Sequence, residues 1–142
     1  MAEQVNHPQH YFGEGNPFEV IEVIEALGMG WGFCFGNALK YLARSPHKGS
    51  ERTDLEKARW YVNRLCTKGY RTPGGITIPE DYGDRVREAW DIVGGPLDDV
   101  VYCLIRGDGV NVRRALMLLD AHLVRMAGEG DAGDDEVDGE AG

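Results

Sequence analysis

The chain has 142 residues, 42% of them hydrophobic and 27% charged, with a formal net charge of -9. Such a length and composition suit one globular domain able to bury its own core. No apolar run approaches the ~20 residues a membrane span needs, and Met1-Ala2-Glu3-Gln4-Val5-Asn6-His7-Pro8 lacks the basic-then-apolar layout of a secretory leader. A cytoplasmic protein is expected, and Cys34, Cys66 and Cys103, each inside an apolar helical pattern, read as buried free thiols. Their spacing brings no two thiolates together for a metal.

Residues 1–15 read as an irregular segment. Asn16-Pro17-Phe18-Glu19 is a helix start, with Asn as cap and Pro in the first position. Phe18, Val20, Ile21, Val23, Ile24 and Leu27 make this helix apolar on more than one side, until Gly28 and Gly30 end it. The spacing predicts a second helix from about Gly32 to Arg44, with Phe35, Ala38, Leu39 and Leu42 as its buried stripe. After the loop Ser45–Ser50, Thr53-Asp54-Leu55-Glu56 is a capping box for a third helix that Gly69 terminates. Its core positions are Leu55, Ala58, Val62 and Leu65.

Residues 69–79 form the only candidate linker, within which Ile76-Thr77-Ile78 could be a short strand without a partner. Three further helices are predicted over Asp84–Val93, Pro96–Arg106 and Asn111–Ala127. Residues 128–142 hold seven acids, no base and five glycines, the composition of a disordered acidic tail. The tail serves solubility or folds back over basic residues. No repeat or sustained heptad is evident. The expected fold is all-α: a compact bundle of about six helices with a short irregular N-terminal segment and a disordered C-terminal tail. The organisation reads as residues 1–69, an additional helical region over 70–127, and the tail 128–142.

Against the acidic whole, residues 36–71 gather nine basic side chains and three acids, a local charge of +6. Asn37, Lys40, Tyr41 and Arg44 recur at helical spacing on one face, and Asp54, Lys57, Tyr61 and Arg64 do so on the next helix. Packed antiparallel, the two faces could share a cleft in which Lys and Arg hold phosphate oxygens. Tyr41, Tyr61 or Trp60 could stack on a base, and Asn37 could read a hydrogen-bonding edge. The alternative is a solvated cationic face whose aliphatic stems cover the core.

The other dense patch is His7-Pro8-Gln9-His10-Tyr11. Its histidines could contact a phosphate or supply two ligands to a divalent metal, too few to complete a site; a packed lid with structural hydrogen bonds is the alternative. Glu19 reads as a capping residue, with a catalytic or metal role as the other option. Asp98 and Asp99 complement a helix dipole, and His122 reads as a core-margin residue. There is no Walker loop, no dinucleotide-binding glycine motif and no nucleophile elbow. Phosphoryl transfer would therefore rest on Lys and Arg side chains to neutralise developing charge. A body near neutrality with an acidic tail is a poor partner for nucleic acid.

Several segments taken together resemble a known family. They are Asn6-His7-Pro8 with His10-Tyr11, Phe18–Ile24, Phe35-Gly36-Asn37-Ala38-Leu39-Lys40-Tyr41-Leu42 with Arg44, Lys48-Gly49, and Asp54-Leu55 with Lys57-Ala58 and Trp60-Tyr61. Over roughly residues 5–67 they are similar, in order, to a small phage-encoded family catalogued as a domain of unknown function and labelled nucleotide-kinase-like. One characterised member is a phage deoxynucleoside monophosphate kinase that lacks a P-loop and assembles as an oligomer.

The resemblance implies a homo-oligomeric enzyme of the infected host's cytoplasm. It would move a phosphoryl group from ATP or another nucleoside triphosphate to a deoxynucleoside monophosphate, with Mg2+ possible but not indicated by the residues. It singles out His7, His10, Tyr11, Glu19, Asn37, Lys40, Tyr41, Arg44, Lys48, Asp54, Lys57 and Tyr61. Lys40, Arg44, Lys57 and Lys48 would hold phosphates, Asn37 with Tyr41 or Tyr61 the base or sugar, and His7 or His10 would close the site. Glu19 or Asp54 would orient a cation or a basic side chain. Two other readings stand beside this one: a non-catalytic nucleotide binder that sequesters a host signalling nucleotide or regulates a host enzyme, and a protein-interaction module. The helices over 70–127 have no counterpart in a minimal family member.

Overall fold

Cys34, Ala38 and Leu42 recur at four-residue intervals and all three are fully buried, which fixes one face of a helix on the core. That helix is α2 (Gly30–Arg44) in a computed structural model that describes residues 19–47, 49 and 51–141. It follows α1 (Val20–Ala26) and leads through a single 3-10 turn, Ser45–His47, into α3 (Glu51–Lys68). Then come α4 (Tyr82–Ala89), α5 (Asp98–Arg106) and α6 (Gly109–Ala141). The all-α expectation of about six helices holds, and the described residues contain no strand. The Asn16 cap, Pro17 and the irregular segment before them lie outside the described residues.

One core joins the chain's two halves. α3 packs on α2 with one side and on α6 with the other, α6 packs on α5, α4 leans on α5, and α1 lies on α2. Leu55, Ala58, Val62 and Leu65 of α3 meet Val100, Val101, Leu104, Val112, Ala115 and Leu119 in the same cluster, most of them with no solvent exposure at all. Each fully buried Leu or Val contributes roughly 1.5–3 kcal/mol relative to exposure. None of the described helices is long and apolar enough to cross a membrane.

Helix boundaries differ from expectation in instructive places. α3 starts at Glu51, so Thr53 does not cap it. Asp54 points inward, fully buried and bonded to Arg44, while Glu56 pairs back with Arg52 one turn earlier. Ile76 and Ile78 lie exposed in an irregular connection rather than in a strand. α6 continues to Ala141, beyond the end expected at Ala127 and along the backbone of the acidic segment; that run contains no proline to stop it. Met126 is the last described residue of α6 packed against the core.

Helix ends here are chemical. Gly69 adopts φ +71°, and the amides of Gly69 and Tyr70 donate back to Cys66 and Leu65 (3.1 and 2.8 Å), the paired bonds that close a helix through a left-handed residue. Asp91, at φ 59°, ends α4 with the same pair of bonds to Glu88 and Arg87. Gly107 caps α5 at φ +74° and accepts a hydrogen bond from the Thr72 amide (2.9 Å), tying the long connection to the bundle.

A Cβ on Gly107 would stand 1.8 Å from Thr72 Oγ1 and 2.9 Å from Thr72 Cβ. The hydroxyl can rotate away, but the Cβ cannot. Gly107→Ala is therefore expected to destabilise by about 2–3 kcal/mol, left-handed strain plus that contact, read by chemical denaturation. Thr72→Ala in the same chain should recover only the smaller, hydroxyl part.

Candidate functional site

The α2–α3 hairpin brings the two expected helix faces together around one ring. Lys40 Nζ lies 4.5 Å from the centroid of Tyr41, Arg44 Cζ 5.4 Å and Lys57 Nζ 5.4 Å. No two of these cations are therefore further apart than about 11 Å, close to the reach of unscreened repulsion between surface charges. Tyr61 from α3 stacks on Tyr41 with rings 11° from parallel and centroids 6.2 Å apart. Edge contacts from Phe33 and Trp60 hold Tyr61 in turn.

Helical spacing explains the gathering. Lys40 and Arg44 sit one turn apart on α2 next to Tyr41, and Lys57 sits one turn before Tyr61 on α3. Asp54, one turn after the start of α3, is 1% exposed and accepts from Arg44 Nε at 3.3 Å. The bond crosses from one helix to the other and fixes the guanidinium beside the ring. Among the described residues no carboxylate stands within ion-pair distance of Lys40 or Lys57. The ring face accounts for part of their attraction to this spot, about 0.5–1 kcal/mol per cation at an exposed site. Their mutual repulsion works against it, and an anion seated among them would relieve that repulsion.

Other expected residues fall elsewhere. Asn37 shares the face, and its amide Nδ2 donates one of its two protons to the Phe33 carbonyl of its own helix at 2.8 Å, which leaves the second N–H and the carbonyl oxygen to offer a ligand. Glu19 occupies the N-cap position of α1 with no side-chain bond to that helix. His7, His10, Tyr11 and Lys48 lie outside the described residues. Arg64, expected beside Lys57 and Tyr61, turns instead to α1. Its Nε and NH2 groups donate to the two oxygens of Glu25 at 2.8 and 2.7 Å, with Glu22 at 3.6 Å and Lys68 adding a second cation to Glu25 at 3.8 Å. Arg59 likewise pairs with Asp120 of α6. Much of the basic block thus fastens helices together, and the cations left at Tyr41 are the ones able to serve a ligand.

Spacing did not reveal the Glu25–Arg64 node, because its partners lie 39 residues apart. The paired guanidinium, opposed by burial, holds the Glu25 carboxyl below the ordinary range. Burial, with the Glu25 charge next in weight, pushes the neighbouring Cys34 thiol up to about 11. Cys66 and Cys103 are raised by burial as well. Thiols of that kind are inert packing groups, not nucleophiles. Cys66 departs from the expected burial: it is half-buried, with its Sγ 3.8 Å from the Val112 carbonyl. Among the described residues no three His, Cys, Asp or Glu side chains converge as ligands for a metal ion.

His122 faces the core at 9% exposure, and among the described residues neither ring nitrogen has a hydrogen-bond partner. Burial, helped by Arg125 and opposed by Glu51 and Glu129, lowers its pKa. The unfolded chain then binds this proton more readily than the folded one, so stability falls as pH drops below about 6.5. His122→Leu is expected to flatten that part of the pH–stability curve, followed by thermal unfolding across the range.

Known proteins add one match. A family model described as a protein of unknown function (DUF3310) matches residues 5–63. The segment contains α1, α2 and most of α3, hence every described member of the Tyr41 cluster. No curated protein and no solved structure matches the chain.

Proposed function

We propose that the Tyr41 cluster holds nucleotide phosphate and that the protein is a P-loop-free phosphotransferase acting on deoxynucleoside monophosphates. The observation that supports this reading is the convergence of Lys40, Arg44 and Lys57 on one ring, from two helices, with no carboxylate among the described residues pairing either lysine. Three cations at such spacing suit the oxygens of a phosphate, and the guanidinium adds bidentate geometry. Tyr41 and Tyr61 offer π-faces for a base at the rim.

In the reaction, an oxygen of the acceptor monophosphate attacks the terminal phosphorus of the donor triphosphate. The bond to the bridging oxygen breaks, and two diphosphates leave. Lys40, Arg44 and Lys57 would neutralise charge on the transferring group, with Asp54 orienting Arg44. His7, His10 and Tyr11 belong to the same reading as the segment that closes over the ligand, Lys48 as a further phosphate contact and Glu19 as a residue orienting a cation. So do ATP or another nucleoside triphosphate as donor, a homo-oligomeric state and a cytoplasmic location.

The test is incubation of the purified protein with ATP and each deoxynucleoside monophosphate, following diphosphate formation. Product that disappears in Lys40→Ala and Arg44→Ala supports the reading. A second reading, a protein that binds a nucleotide without turning it over, is favoured by Asp54: this carboxylate is buried and bonded to Arg44, placed to position rather than to exchange a proton. Calorimetric binding with no diphosphate from any acceptor selects it. Absence of both binding and turnover defeats both readings.

A further inference from the structure

We propose that a cavity between the end of α3 and the start of α6 holds a single phosphate group, at a site separate from the Tyr41 cluster. The cavity measures about 110 Å³, and Leu65, Cys66, Arg71, Gly109, Val112 and Arg113 are among its lining residues. That volume admits several waters or one tetrahedral oxyanion. It is well below the roughly 300 Å³ of the smallest pockets that enclose a drug-sized ligand, so a whole nucleotide does not fit inside. Every lining residue lies beyond residue 63, outside the family match. Cys66 follows Lys57 by nine residues, about 14 Å along α3 and on its opposite face.

Two guanidiniums supply the charge. Among the described residues neither Arg71 nor Arg113 has a carboxylate within ion-pair distance, whereas Arg44, Arg59, Arg64 and Arg87 all do. The backbone pins Arg71 on both sides: the Tyr70 amide donates to the Leu65 carbonyl (2.8 Å) and the Thr72 amide to the Gly107 carbonyl (2.9 Å). Arg113 folds back along α6, its Nη1 3.6 Å from where a Cβ on Gly109 would stand. The floor between the two is apolar, because Leu65 and Val112 belong to the core. Cys66 turns its Sγ toward the Val112 carbonyl. Burial, opposed by Arg113, raises that thiol's pKa, so it stays neutral and adds no competing charge.

The nearby acids are engaged elsewhere. Asp108 accepts from the backbone amide of Asn111 at 3.0 Å and from its side-chain amide at 2.6 Å. Glu25, beside Tyr70, is held by Arg64 and Lys68. Since Asp108 already occupies the start of α6, the site rests on the two arginines and the cavity, not on the helix end. A phosphate there accepts charge-assisted hydrogen bonds from both guanidiniums and ties α6 to the connection that follows α3.

The experiment follows backbone amide NMR signals of the full chain as inorganic phosphate is added, with chloride at matched ionic strength as the control. Saturable shifts are expected at Cys66, Gly69, Gly109 and Val112. Arg71→Gln and, separately, Arg113→Gln should weaken that response about tenfold, the low end for a hydrogen bond to a charged group. The helical spectrum should not change, because both side chains are exposed. Lys40→Ala should leave the response intact, which separates this site from any phosphate at Tyr41. Glycerol phosphate distinguishes the sources: tighter binding than inorganic phosphate assigns the site to the phosphate of a larger molecule, weaker binding to the free ion. No saturable shift at these amides with either compound overturns the proposal. So does a response that chloride reproduces, or one indifferent to both arginine substitutions.

Discussion

Under the phosphate-holding role proposed for the Tyr41 cluster, a chain carrying Lys40→Ala and Lys57→Ala together is expected to bind nucleotide about 100-fold more weakly than wild type, with little change in melting temperature. A hydrogen bond to a charged group is worth about 1.5–3 kcal/mol, and a tenfold loss corresponds to 1.4 kcal/mol, so one decade per lysine sits at the lower edge of that range. The stability side follows from position. Lys40 is exposed and Lys57 half-buried, neither has a described carboxylate to leave behind, and removing two like charges from one ring relieves repulsion. Calorimetric titration beside thermal unfolding measures both quantities. Unchanged affinity would remove the Tyr41 cluster from the ligand's contacts altogether. Tyr41→Leu serves as a second probe: it keeps the cations but deletes the ring that gathers them, and a smaller loss, near tenfold, is expected.

Glu25→Ala is the substitution expected to harm stability most, by about 3 kcal/mol. Its side chain is 8% exposed and receives both arms of Arg64, itself 22% exposed. Deleting the carboxylate strips a largely sheltered guanidinium of its partner, and breaking such a pair from one side costs far more than the pair is worth against a well-packed apolar substitute. Chemical denaturation with a midpoint shift at constant slope would show it. Sign and pH range are fixed by the lowered carboxyl. The contribution of Glu25 is complete above the pKa it has in the unfolded chain and disappears as pH falls through its lower folded value. Wild type and Glu25→Ala should therefore converge in stability toward strongly acid pH, and an Arg64→Ala chain should show the same convergence.

Much of this was legible in the residues. Ala38 and Leu42, like Leu55, Ala58, Val62 and Leu65, announce their helices because an amphipathic helix repeats every 3.6 residues, and these side chains are buried, whereas Phe35 and Leu39, expected in the same stripe, are half-buried beside the core. Gly69 marks the end of α3 because a left-handed residue closes a helix best when it has no Cβ. The convergence of Lys40, Arg44, Lys57 and Tyr61 on Tyr41 was legible for a similar reason: a short connection makes α2 and α3 antiparallel neighbours, and spacing decides which faces meet. What could not be read was the employment of each cation. Arg64 has the same spacing credentials as Lys57, yet Glu25 claims it from a helix outside the pair. The capping box at Thr53 failed because burial of Asp54 against Arg44 decided the local geometry. Nor could composition foresee that α6 remains helical past Ala127.

Because α3 has α2 on one side and α6 on the other, the boundary near residue 69 divides the sequence but not the protein. A fragment ending there would keep all the described residues around Tyr41 and lose the surface against which Val62 and Leu65 are packed. Those side chains would face water, and α3, the helix that presents Lys57 and Tyr61, would lose one of its two supports. For this chain, the helices beyond residue 70 are the back wall behind the Tyr41 cluster, and changes made in them should be felt at Tyr41 without touching it.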